Sequence, residues 1–123
     1  MNTNKYEACM MNLIGDAPAC GYGLWDLALL KVAAEIDRVT ADLCSDSRRM
    51  AERFNNFARI LEGGFISAVL PTGYSTLGDI TSNTARLREL KDQLKVLLRL
   101  RYNTDEIAAF YETLSLRGVQ SHG

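Results

Sequence analysis

Histidine is almost missing from this chain: of 123 residues, only His122 is one. Without a second histidine, a Ser-His-Asp or Cys-His arrangement has no base to activate its nucleophile. The same scarcity removes the Glu-x-x-His pairs of a di-metal helical bundle. Cysteine is scarce too. The three cysteines, Cys9, Cys20 and Cys44, cannot all pair within one chain, and no two have the short spacing of zinc ligands. Their default state is reduced thiols acting as small hydrophobic side chains, which points to a reducing compartment and hence to the cytoplasm. The glycines at 63, 64 and 73 are followed by no Gly-Lys-Ser or Gly-Lys-Thr, so they form no phosphate loop. These gaps leave no metal, cofactor or catalytic constellation to name, and they weigh against an enzyme.

A long apolar run is absent as well. The densest, Phe65–Leu70, has six residues, against roughly 20 needed to cross a bilayer. Glu7, Asn12 and Asp16 interrupt the N-terminal region, which argues against a signal peptide. Nor does one sign of charge dominate. A net charge of −1 exerts no global pull towards nucleic acid or anionic membrane, so any such affinity needs a local patch. The chain length suits one domain spanning 1–123, with 47% hydrophobic residues to build its core.

Proline and glycine are both missing from Leu24 to Glu62. Within that stretch Leu29, Ile36, Leu43, Met50 and Phe57 recur every seven residues. Trp25, Val32, Ala33, Val39, Phe54 and Leu61 fill neighbouring positions of the same arc. The pattern predicts one helix over 24–62, about 58 Å long. Ser45-Asp46-Ser47 puts polar side chains in the seam and marks the place where a kink would fall. Leu24, Leu27 and Leu30 make the first turns apolar nearly all round, which predicts burial on several sides. Gly63-Gly64 supplies a left-handed stop.

Shorter helices flank the long one. Residues 4–14 read as a short amphipathic helix with Asn4 and Glu7 at capping-box spacing. A further helix is predicted over 79–101, with Ile80, Leu87, Leu90, Leu94, Leu97 and Leu98 on one face. The last is predicted over 105–116, with Asn103 and Glu106 again at capping-box spacing. The fold class is therefore all-α: a long-helix hairpin of helices 24–62 and 79–101 with short N- and C-terminal helices. One antiparallel neighbour leaves flanks of such a long stripe uncovered, and pairing two hairpins into a dimeric helical bundle would bury them. Leu29, Ile36, Leu43, Met50 and Phe57 are the candidate dimer interface.

Two other features suggest partners. Arg88, Lys91, Lys95 and Arg99 form a narrow basic stripe opposite the leucines of 79–101, suited to an anionic partner. No aromatic residue interleaves it, so stacking on single strands is not supported. Phe65, Ile66, Val69 and Leu70 lie between Gly63-Gly64 and Pro71-Thr72-Gly73, either as an apolar plug or as a docking patch. The carboxylates at 35, 42 and 52 follow cations at 31, 38 and 48 by four residues and read as surface ion pairs. The expected function is a non-enzymatic helical module binding a protein partner, acting as a homodimer. A nucleic-acid-associated regulator using the basic stripe is the second reading, and a small-molecule-binding bundle the third.

Overall fold

With no residue to break it, the stretch after Gly23 winds into one uninterrupted helix, α2 (Leu24–Glu62), accompanied by α1 (Lys5–Ile14), α3 (Tyr74–Arg101) and α4 (Thr104–Gln120). The structure, a computed structural model, describes residues 4–15, 21–63 and 74–120. All secondary structure among the described residues is helical, and no helix among them is long and apolar enough to cross a membrane. The patch Phe65, Ile66, Val69 and Leu70 lies outside the described residues.

Each helix end has its own chemistry. Asn103 accepts the Glu106 N–H at 2.8 Å while Glu106 accepts the Asn103 N–H at 3.2 Å, the reciprocal box predicted at the start of α4. The equivalent spacing in α1 works differently, because Asn4 makes no side-chain cap there. Gly15 closes α1 at φ 83°, a left-handed conformation open to glycine, and its N–H bonds the Met11 carbonyl at 2.9 Å. Gly63 instead keeps a helical φ of −75°, so the expected left-handed stop does not fall on it. Ser45–Ser47 does not break α2. Asp46 is buried there and forms an ion pair with Arg49 at 2.5 Å, one turn on, which satisfies the polar group in the seam. α3 begins at Tyr74, five residues before its predicted start, since Gly78 is accommodated within the helix.

The core draws on all four helices. Cys9 and Met10 come from α1, and Leu29, Ala33, Ile36 and Val39 from α2. Leu90, Leu94 and Leu98 come from α3, and Phe110 and Leu114 from α4. Buried leucines four residues apart on α3 share one face of the helix, and α3 meets α2 along it. Fully burying such a side chain is worth about 1.5–3 kcal/mol. The register of α2 on α3 shows at one end, where Arg101 Nε lies 3.6 Å from Asp26 Oδ1, so the last turn of α3 sits beside the first turn of α2. Asp26 Oδ1 is shielded from water without a hydrogen bond among the described residues, and the Arg101 charge compensates it.

Buried apolar positions stop at Val39 on α2 and begin at Leu90 on α3. α2 continues for about six more turns to Glu62. The four-helix core thus occupies one end of the α2–α3 pair, and a thinner distal part extends beyond it.

Candidate functional site

Three places combine side chains that the four-helix core does not account for. The first is the distal part of α2 and α3. Met50 and Phe57 are half-buried there, while Phe54 is 53% exposed and Ile60 and Leu61 are similarly open. At about 100° per residue, Met50, Phe54, Phe57 and Leu61 fall within one arc roughly 60° wide. Leu77 is exposed and Ile80 half-buried near the start of α3. An apolar row with no covering helix among the described residues is a surface that gains free energy when covered.

The predicted five-residue seam is therefore divided. Leu29 and Ile36 are fully buried in the chain's own core, where α1 and α3 pack on α2, and have no surface to offer another chain. Leu43 is half-buried against that core. Of the five, only Met50 and Phe57 reach the uncovered part, joined by Phe54 and Leu61 from the same arc and by Ile60 and Leu77, which the spacing did not single out.

The second place is the basic stripe. Arg88, Lys91, Lys95 and Arg99 are all exposed, and by helical spacing they border the face of Leu90, Leu94 and Leu98 and do not lie opposite it, with Lys91 seven residues before Leu98. None of the four is ion-paired to a carboxylate among the described residues. Its neighbours are: Arg86 pairs with Glu89 at 3.6 Å and Arg101 with Asp26. On α2, Arg38 pairs with Asp42 at the predicted four-residue spacing, and also with Glu35 three residues before it, which the spacing had set against Lys31. The hydrogen bond from Arg38 holds the Glu35 carboxyl below its usual range.

The third place went unnoticed in the sequence. Asp37 is 5% exposed and projects from α2 onto the first turn of α1. Its two carboxylate oxygens accept the backbone N–H groups of Tyr6 at 3.0 Å and Glu7 at 2.9 Å. These are orphan donors that an N-cap side chain normally satisfies, here supplied from another helix 30 residues away. The signal was a lone acid about 80° from Leu29 on the helix surface, just past the edge of the apolar arc next to Ala33.

Comparison with known protein families, curated proteins and solved structures finds no match to this chain. Function has to be argued from the surfaces themselves. No group of three or more His, Cys, Asp or Glu among the described residues is placed to hold a metal ion. Cys44 is an exposed thiol on α2 and Cys9 a buried one in the core, so the cost of replacing cysteine falls on Cys9 rather than Cys44. Cys20 lies outside the described residues.

The first turns of α2 are another correction. They were expected to be buried on several sides, yet Leu24 is 82% exposed and Trp25 and Leu27 about half so. α1 packs on α2 through the Asp37 side, leaving Leu27 about 80° and Leu24 about 140° round the helix from it.

Asp37 gives a pH dependence with a definite sign. Burial raises its pKa, and the two N–H bonds from Glu7 and Tyr6 only partly offset that rise. The native state then holds this proton more tightly than the unfolded chain. Its contribution to stability is complete below the ordinary aspartate value of about 3.9 and is lost as pH rises through the elevated native value. In urea titrations, wild type should lose stability relative to Asp37→Asn as pH rises through that window. A difference that stays flat with pH would contradict the assignment.

Proposed function

We propose that the protein is a non-enzymatic helical interaction module that pairs with a second copy of itself through its distal part. In this reading α2 and α3 form an antiparallel hairpin, and two hairpins pack their uncovered rows into a four-helix arrangement. The observation that carries it is the mismatch between α2 and the core: burial of apolar side chains ends at Val39, while Phe54, Ile60 and Leu61 continue the apolar surface uncovered. The Arg101–Asp26 contact supports the hairpin, because it joins the last turn of one helix to the first turn of the other. A second copy suits the row because a two-fold interface is self-complementary, apolar against apolar, without needing a matching charge pattern. Coverage by another hairpin would also follow the spacing of ordinary four-helix packing.

Cys44 allows a direct test, since its thiol is exposed on α2. With Cys20 replaced by alanine, a spin label on Cys44 should report a single distance between labels on two copies. Absence of any dipolar coupling between chains at concentrations where they would associate counts against pairing.

A further inference from the structure

We infer that the outer face of α3 is a docking surface for an acidic amphipathic helix of another protein. Arg88, Lys91, Lys95 and Arg99 set four cations in a line about 16 Å long, each three or four residues from the next. That is the spacing with which a second helix presents its own side chains along one face, so a row of carboxylates can meet the row of cations one for one. The pairing pattern of α3 singles the row out. Arg86 and Arg101, at its two ends, have acidic partners within the chain, whereas the row between them has none among the described residues.

Two observations favour a narrow acidic helix over a nucleic-acid duplex. With the four cations of the row set aside, ten basic residues face 15 acidic ones in the rest of the chain. A duplex, wider than the row, would also bring phosphates over Glu89 and Asp92 beside it on α3, while a single helix can keep its carboxylates on the row. The second is apolar. Val96 is 56% and Leu100 64% exposed, beside the row on the same helix. Val96 lines a shallow trough together with Glu89, Asp92, Gln93 and Leu97. A partner helix with carboxylates on one edge and leucines on the next covers both the cations and this apolar shoulder. Glu89 and Asp92 flank the shoulder and repel carboxylates there, which confines the partner's acids to the row and fixes its orientation.

The test uses three probes: a synthetic helical peptide with glutamates at the spacing of the row and leucines on the adjoining face, a scrambled peptide of the same composition, and a short DNA duplex. The helical peptide should bind about tenfold or more tightly than its scramble. Lys91→Glu with Lys95→Glu should weaken it at least as much, and Val96→Ser with Leu100→Ser should weaken it without altering the salt dependence. All four side chains are exposed, so an unchanged melting temperature verifies the fold of each variant. Equal affinity for the two peptides, tighter binding of the duplex than of the helical peptide, or indifference to the charge reversal would each overturn the proposal. A chain carrying Phe54→Glu and Leu61→Glu should bind the peptide as wild type does, so failure here is distinguishable from failure of self-pairing.

Discussion

Ile36→Asp should abolish the cooperative unfolding transition of this protein. Ile36 has no exposed surface and lies in the middle of the buried stretch of α2, between Ala33 and Val39. Truncating its apolar side chain costs about 2–5 kcal/mol. The aspartate adds a charge with no basic residue in the core cluster to pair it, and a buried unpaired charge costs several kcal/mol more. Asp37 next to it already takes the N–H groups of Tyr6 and Glu7 in the first turn of α1. Against a typical domain stability of about 5–15 kcal/mol, the two effects remove most or all of the folded population. Circular dichroism should show reduced helicity and no sharp melt. A variant that melts as wild type does would mean that α1 and α3 do not enclose this position.

Phe54→Glu combined with Leu61→Glu should have the opposite profile: a folded chain that no longer self-associates. Both side chains are about half exposed within the chain, so the fold of a single copy loses little. Between two copies, the same substitutions place four carboxylates in an apolar interface, where like charges and desolvation act together. A dimer is stabilised by mass action, so wild type should melt at a temperature that rises with concentration. In the double variant that dependence should vanish while helicity is retained. Loss of helicity in the double variant would show that Phe54 and Leu61 act within one chain instead.

How much of this was legible in the sequence depends on which physical signal is asked. The bounds of α2 follow from the lack of glycine and proline between Leu24 and Glu62, and the cap of α4 from the Asn103–Glu106 spacing. Both are local signals. The start of α3 was less legible, because Ser75, Thr76 and Gly78 resemble a turn when read one at a time. Periodicity also identifies the apolar face of a helix but not what covers it. Leu29, Ile36 and Phe57 look equivalent at seven-residue spacing, yet the first two are fully buried in one chain and the last is only partly so. Asp37 was hidden for a related reason. A single acid at the edge of an apolar arc gains meaning only when a helix end from 30 residues away arrives above it. The basic stripe was visible at once, but the pairing of Arg86 and Arg101 that sets it apart is a tertiary feature.

The claim that the distal row of α2 and α3 is covered by a second copy is tested most directly by the mass of the wild-type chain in solution. Sedimentation equilibrium over a micromolar dilution series should give a species of twice the 13.7 kDa chain mass, dissociating on dilution. A mass that stays at 13.7 kDa up to the most concentrated sample would contradict self-pairing.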